Sequence, residues 1–254
     1  MCKPSMTISI ITATHNSART IRDTLESVRN QSYPKVEHII VDGRSSDNTL
    51  DIVRQYPHVA KCISEPDKGI FDAMNKGIAM ARGDIVGILN SDDLYQDSTV
   101  LARVMETVIN GQCDAVYGDI VYVDQHQTGK VLRYWKSGYY NKGSFRWGWM
   151  PPHPSLFVRR SLYERFGGFR TDLGTAADYE LMLRFIHCYG AQLGYVPEVL
   201  VRMRDGGASN QTFASRIRAN LEDRRAWEVN GIKPYWCTLY LKPLRKIGQY
   251  FLRD

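Results

Sequence analysis

Residues 84–93 read DIVGILNSDD, an apolar run from Ile85 to Leu89 that passes without a break into Asn90-Ser91-Asp92-Asp93. A run this short and this apolar is expected to be a strand buried on both faces. The two adjacent carboxylates at its end repel one another unless a cation or a set of donors reaches them. On the N-terminal side, helix and strand patterns alternate. Ile70 to Ala81 reads as a helix, Lys61 to Ser64 as a short strand, Asp47 to Gln55 as a helix and Val36 to Val41 as a strand. Before these come a helix over Thr20 to Gln31, carried by Ile21, Leu25 and Val28, and a β-branched strand, Thr7 to Thr12. On the C-terminal side, Val100, Leu101, Val104, Met105 and Val108 mark a further helix. Alternation at this spacing implies βαβ units: a Rossmann-like α/β fold with a mixed, mainly parallel sheet flanked by helices.

Open α/β sheets bind ligands outside the carboxyl ends of their strands. The segments at those ends are Thr12 to Asn16, Asp42 to Asp47, Glu65 to Lys68 and Asn90 to Asp93, and each carries polar or acidic groups. Asp92 and Asp93 suit a hard divalent ion, since Mg²⁺ commonly takes one or two carboxylates together with substrate phosphates. The alternative is a cap for the helix that starts near Ser98, although Asp97 or Ser98 is better placed for that. Lys68 and Arg82 are cations that suit either phosphate or solvent.

The second half is less regular. Ala115 to Val123 reads as a strand, Arg146 to Pro154 (RWGWMPPHP) as an aromatic, proline-rich loop and Leu156 to Val158 as a short strand. Tyr179 to His187 and Thr212 to Val229 read as helices, with short strands at Gln192 to Val196 and Leu200 to Arg204. Asp178 stands at a helix start, where an acidic residue serves either the helix dipole or general-base chemistry.

Composition excludes several classes. The chain has 254 residues and 43% hydrophobic content, enough for a substantial core. No apolar run approaches the ~20 residues that span a bilayer, and no signal-peptide pattern opens the chain. Cys2, Cys62, Cys113, Cys188 and Cys237 are scattered and form no CxxC pair, which argues against zinc or a disulfide framework and for a reducing, cytoplasmic setting. No GxGxxG follows the first strand, and GxxxxGK[ST] and GxSxG are missing, which disfavours dinucleotide oxidoreductases, P-loop NTPases and α/β-hydrolases.

The net charge of +6 is concentrated at the end: Arg216 to Asp254 hold nine Lys or Arg against four Asp or Glu. Nucleic-acid binders spread such charge over a folded face; a basic tail points to an anionic surface instead. The expected division is a domain over residues 1–215, with halves of about 1–124 and 125–215, and a basic helical tail over 216–254. Within the tail, Thr238 to Arg253 fits an amphipathic helix. Tyr240, Leu244, Ile247 and Phe251 fall on one face and Lys242, Lys246, Gln249 and Arg253 on another. Pro243 falls in the first turns, where proline is tolerated. Such a helix either packs its apolar stripe on the domain or lies on the inner membrane leaflet.

Several segments together resemble the family 2 glycosyltransferases of GT-A fold, in particular bacterial enzymes of exopolysaccharide, colanic-acid-type and O-antigen assembly. They are SIITATHN (Ser9 to Asn16), IIVDGRSSDNT (Ile39 to Thr49), SEPDKGIFDAMNKGIAMARGD (Ser64 to Asp84) and LNSDD (Leu89 to Asp93). HPSLFVRR (His153 to Arg160), ADYELMLR (Ala177 to Arg184) and GGASN (Gly206 to Asn210) extend the match. The resemblance implies an inverting, metal-dependent transferase that uses a nucleotide diphosphate sugar and a glycan or polyprenyl-diphosphate-linked acceptor. It puts Thr12, Thr14 and Asp42 at the nucleoside, with Asn16, Asp67, Lys68 and Asn75 also on the donor side. Asp92 would meet ribose or donor sugar, Asp93 Mg²⁺ or Mn²⁺, and Asp178 would be the base. On the acceptor side stand His153, Trp147 and Trp149, the tryptophans either as a sugar platform or as core. The chain departs from the pattern at Asp42-Gly43, where many relatives have two acidic residues, and at Arg44, where Gly is usual. A sugar nucleotidyltransferase would need a glycine-rich loop after the first strand, which TATHNSART (Thr12 to Thr20) lacks. A non-catalytic sugar-nucleotide-binding module would be expected to lack the acidic residues.

Overall fold

β1 (Ile8–Thr14) is buried along its whole length in the computed structural model, which describes residues 6–206, 213–247 and 249, the side chains of 213–220, 246 and 247 excepted. Alternate residues of this strand feed two cores, Ile8 and Ile10 one, Ile11 and Ala13 the other. A strand can be apolar on both faces only where both faces are covered. The chain continues through α1 (Ile21–Arg29), β2 (Val36–Asp42), α2 (Thr49–Val53), β3 (Val59–Ser64), α3 (Ile70–Met80), β4 (Ile85–Ile88), β5 (Leu94–Tyr95) and α4 (Val100–Gly111). Then come β6 (Ala115–Val123), β7 (Val131–Trp135), β8 (Phe157–Arg159), α5 (Arg160–Phe166), α6 (Ala177–Met182), β9 (Leu193–Arg204), α7 (Phe213–Val229) and α8 (Thr238–Ile247).

One sheet runs β3-β2-β1-β4-β8-β6-β9-β5, with β7 on the remaining length of β6. The first four strands are parallel, as the βαβ pattern requires. β8 then runs antiparallel to both β4 and β6, while β6 and β9 are parallel. Parallel order therefore belongs to the N-terminal half, and the sheet as a whole is mixed. The two short strands expected at 192–196 and 200–204 are one strand, β9. Its register against β6 jumps from Val196 to Val199, a bulge that absorbs Pro197, which has no N–H to donate. The expected helix over 179–187 is α6 followed by a π turn, Leu183–Cys188.

α6 is tied down by a buried ion pair. Arg184 Nε donates to Glu180 Oε1 at 2.9 Å, and the same guanidinium donates to the carbonyls of Phe166, Gly167 and Gly168. Breaking one side of such a pair costs about 3–5 kcal/mol.

The tail is part of this body. The expected boundary at 215/216 falls inside α7, whose Ala226 and Trp227 lie in the same core as Ile11 and Val86. Trp227 Nε1 donates to Tyr179 Oη at 2.9 Å. α8 docks beyond it: Thr238 Oγ1 donates to the Arg146 carbonyl, and Lys242 Nζ pairs with Asp223 at 2.6 Å. α8 does not pack its apolar stripe on the domain, the first of the two alternatives: Lys242 of the other face turns onto the domain, and Tyr240 and Leu244 of the stripe are exposed. Phe251 and Arg253 lie outside the described residues, as do the side chains of Lys246 and Ile247.

Between β1 and β2, His38 is wholly buried. Its Nε2 faces Thr12 Oγ1 and its Nδ1 faces His58 Nε2, each at 3.1 Å. Burial, with His58 beside it, pushes the His38 pKa down to about 3. The unfolded chain therefore binds one proton more than the folded chain at any pH between about 6.5 and about 3. His38 contributes stability that is complete above the upper limit and is lost as pH falls through this window, at up to roughly 1.4 kcal/mol per pH unit. His58, also lowered by burial, adds to the same trend. Denaturant titrations at several pH values should show His38→Gln losing stability less steeply on acidification than the parent; an equal slope would exclude His38 as the source.

Candidate active site

The carboxyl ends of β1, β2, β3 and β4 lie side by side, and the residues that follow them form one rim. At the end of β1, Thr14 is buried and its Oγ1 has no hydrogen-bond partner. Asn90 Oδ1, just past neighbouring β4, is likewise buried and unpartnered. Leaving such an atom unpaired costs about 1–3 kcal/mol, so two at adjoining strand ends indicate a place where a ligand supplies the missing bonds. Thr12, two residues deeper, is fully buried and committed to His38, so it cannot meet a nucleoside as expected.

Asp42 at the end of β2 also differs from expectation. Its carboxylate is fully buried and accepts from Ser45 N at 3.0 Å, Ser64 Oγ at 2.6 Å and Ser45 Oγ. It shapes the following turn, with Oδ2 taking two of these bonds and Oδ1 one. That turn explains the departures at 43 and 44. A Cβ on Gly43 would lie 2.3 Å from Asp67 Oδ2, so Asp67 closes directly over the backbone there. Arg44 has φ +58°, the left-handed region that glycine occupies freely, and its side chain is exposed. Asn16, at φ +49°, accepts from Ser46 N at 2.8 Å and donates its own N–H to Ser45 Oγ, joining the first two rim loops.

Asp67 accepts from Gly69 N, and Lys68 is exposed at the start of α3. Asn75 is committed elsewhere. Its amide exchanges two 2.8 Å bonds with the Phe169 backbone, so it fastens α3 to the 167–169 loop and is withdrawn from the donor side.

Asp92 and Asp93 form the acidic corner. Asp93 is buried; Oδ2 accepts from Asn90 Nδ2 at 2.9 Å and Oδ1 from Arg204 N at 3.2 Å. Burial first, and then the charge of Asp92, hold the Asp93 carboxyl well above the usual range; burial also raises Asp92. Asp92 is half-buried, and among the described residues no side chain donates to its carboxylate. A cation reaching this corner meets Asp92 first, with Asp93 as the charge beneath it. Asp93, the expected ligand, is therefore the deeper of the two carboxylates and Asp92 the more accessible. Neither caps α4: Asp97 fixes the Thr99 that precedes it, and Gln31 Oε1 of the loop after α1 accepts from Leu101 N in its first turn at 3.0 Å. Among the described residues, no three His, Cys, Asp or Glu side chains converge as a complete cage. One or two carboxylates fit an ion that shares its remaining positions with phosphate and water.

Arg204 is a site residue that sequence patterns did not single out. At the end of β9 its guanidinium donates to the carbonyls of Asp92 and Gln125 and pairs with Asp23 of α1. Thr24 Oγ1, also on α1, donates to the Asp93 carbonyl at 2.7 Å. Ser17 and Ser91 hydroxyls meet at 2.8 Å and join the loops after β1 and β4.

In the second half, Asp178 is half-exposed and accepts from Tyr179 N. His153 lies in a short 3-10 turn, His153–Ser155, that packs on β4, β6 and β9. Its pKa is lowered by burial, partly offset by the negative charge of Asp178 nearby. His153 and Asp178 are thus close enough for the carboxylate to act on the imidazole through its charge. Trp149 is core: its Nε1 donates to the Ser137 carbonyl, and its ring meets Tyr117 and Phe145 edge to face. Trp147 is exposed and packs on Tyr235 of the tail.

Similarity to known proteins shows the family and the fold. Residues 9–167 match the family described as glycosyl transferase family 2. An uncharacterized glycosyltransferase of Mycobacterium tuberculosis is 34% identical over 188 residues, covering 70% of this chain and 68% of that one. A PGL/p-HBAD biosynthesis glycosyltransferase of Mycobacterium bovis is 27% identical over 224 residues, covering 82% and 80%. Among solved structures, S. aureus TarS in complex with UDP-GlcNAc superposes with a TM-score of 0.70 at 17% identity, covering 97% of this chain and 73% of that one. The mannosyltransferase PcManGT of Pyrobaculum calidifontis, in complex with GDP-Man and Mn²⁺, superposes with a TM-score of 0.66 at 24% identity, covering 93% and 69%. The curled mixed sheet, the rim of polar strand ends and these matches converge: the chain belongs to glycosyl transferase family 2 and is a glycosyltransferase of GT-A fold.

Proposed function

We propose that the enzyme moves a sugar from a nucleoside diphosphate sugar to a hydroxyl of a glycan or lipid-linked acceptor, with inversion at the anomeric carbon and with Mg²⁺ or Mn²⁺. The observation that carries this is the acidic corner, where two carboxylates with raised pKa lie beside the unpartnered Thr14 and Asn90 oxygens. The GDP-Man and Mn²⁺ of the Pyrobaculum enzyme support it by analogy. Bound at Asp92, with Asp93 behind, the cation would neutralise charge on the departing diphosphate. Thr14 hydrogen-bonds the nucleoside, and Lys68 offers its ammonium to phosphate. Asp178 takes the proton of the acceptor hydroxyl on Oδ2, since Oδ1 is held by Tyr179 N. The acceptor oxygen bonds to the anomeric carbon as the bond to diphosphate breaks. One displacement, with no covalent sugar–enzyme bond, leaves the configuration inverted. His153, kept neutral by burial, hydrogen-bonds the acceptor without competing for its proton. A role in cell-surface polysaccharide assembly, at the cytoplasmic face of the inner membrane and on a polyprenyl-diphosphate-linked acceptor, is part of the same proposal and is supported by the resemblance to family 2 enzymes of that kind. Among the described residues no helix is long and apolar enough to cross a membrane.

The first test is a panel of UDP- and GDP-sugars with Mn²⁺, scored by slow release of nucleoside diphosphate; pyrophosphate exchange with a sugar phosphate, and no such release, would defeat the proposal.

Asp92→Ala should stay folded yet lose the metal-dependent part of donor stabilisation. For the parent that stabilisation is about 2.7 kcal/mol with donor at about 100 times its Kd. Thermal shifts with and without chelator measure it, and an unchanged Mn²⁺ effect would remove Asp92 from the metal site.

Asp178→Asn should keep donor affinity and lose transfer by at least ~10²-fold. Glu180→Ala, two residues on, should instead lose about 3–5 kcal/mol of stability, because it strands Arg184. Full transfer by Asp178→Asn would exclude it as the base.

A further inference from the structure

The outward face of the C-terminal segment is apolar and aromatic where solvent-exposed helices are normally polar. Trp236 is 86% exposed, Tyr240 64% and Leu244 56%. Trp147, 57% exposed, packs edge to face on Tyr235 beside them, with ring centroids 5.6 Å apart. This is not a loosely held helix. On its inner side Leu239 is buried, Lys242 pairs with Asp223 and lies 3.7 Å from the centroid of the Tyr179 ring, and Thr238 bonds Arg146. Gly148 lets the helix approach: at φ +75°, a Cβ there would lie 2.5 Å from Lys242 N. Docking through Lys242 therefore holds Tyr240 and Leu244 in water, although the same helix turned about its axis would bury them.

We infer that this face docks on an anionic lipid surface, Trp236, Tyr240 and Leu244 entering the headgroup layer and Lys233 and Arg245 lying over lipid phosphates. Charge selects the occupant. Arg216 to Asp254 hold nine cations against four acids; Arg225 and Lys242 pair with Asp172 and Asp223, whereas Lys233 and Arg245 are exposed, Arg245 reaching the Trp147 carbonyl at 3.5 Å. Tyrosine and tryptophan, apolar rings with one polar tip, suit the depth between headgroup and acyl chain. Cations beside such rings add roughly 1 kcal/mol each near an anionic surface. The inner side of the same helix touches Tyr179, the residue after Asp178. Under the function proposed above, on which only this last point rests, the docked enzyme presents its base to acceptors held at the membrane.

The experiment uses the full chain with sucrose-loaded vesicles of phosphatidylcholine, with and without phosphatidylglycerol, at low and high salt. The chain should sediment with the phosphatidylglycerol vesicles at low salt and be released by salt. The triple variant Trp236→Ser, Tyr240→Ser, Leu244→Ser should bind at least about tenfold more weakly. It should keep the parent's melting temperature, since these side chains are exposed. Solution release of nucleoside diphosphate, measured on both proteins, separates the two ideas. Its absence from both defeats the proposed function alone; equal sedimentation of parent and variant, or none by the parent, defeats the docking surface alone. If the parent is dimeric by light scattering and the triple variant monomeric, the face is a contact between copies and the lipid assignment is overturned.

Discussion

Two carboxylates held side by side at the end of a buried strand must be neutralised, and much of the molecule is arranged around that requirement. Asp93 is answered from within: the Asn90 amide takes one oxygen and the Arg204 N–H the other. Asp92 is left half-exposed to answer to whatever binds. The backbone between them is fixed by Thr24 from α1 and by the Arg204 side chain from β9. A helix from the first βαβ unit and a strand from the far side of the sheet thus converge on one turn. The raised pKa values of the pair express the same constraint, because the unliganded protein carries charge there that it does not fully solvate.

A second junction organises the C-terminal half. Asp178, Tyr179 and Glu180 are consecutive, so a helix sends their side chains in different directions. Glu180 turns inward to Arg184 and, through it, holds the carbonyls of residues 166–168. Tyr179 takes Trp227 of α7 on its hydroxyl and Lys242 of α8 on its ring. Asp178 is left half-exposed, close enough to His153 for its charge to be felt there. The tail is therefore packed against the helix that carries Asp178, and is not an appendage to the domain.

The fold of the first half was legible because its period is simple: apolar strands buried on both faces alternate with amphipathic helices, and polar residues gather where the strands stop. Which of those polar residues face the cleft was not legible. Thr12 and Thr14 share a strand face, but His38 from β2 covers only the deeper one. Asp42 is withdrawn by two serines, one of them on the neighbouring strand. Asn75 finds its partner in Phe169, which local pattern does not link to it. Between Trp147 and Trp149 a single loop residue, Gly148, separates exposure from burial, and no periodicity applies there. In α8, the apolar stripe was visible, but its direction was set by the pairing of Lys242 with Asp223 across a turn. Residues whose role is fixed by distant partners, Arg204 above all, left no local signature.

Arg204 also constrains how the protein can be made. Its N–H meets Asp93 across 111 residues of sequence, and its guanidinium meets Asp23 across 181. As the chain leaves the ribosome, β1 to β4 are available to pair long before β9 exists. The emerging half-sheet must hold its paired acids at the strand ends without the clamp that fixes them. Contacts of such span close slowly, and half-formed sheets expose unpaired edges. The acidic corner is thus completed only once β9 has been made, so an incomplete chain has β1 to β4 without it.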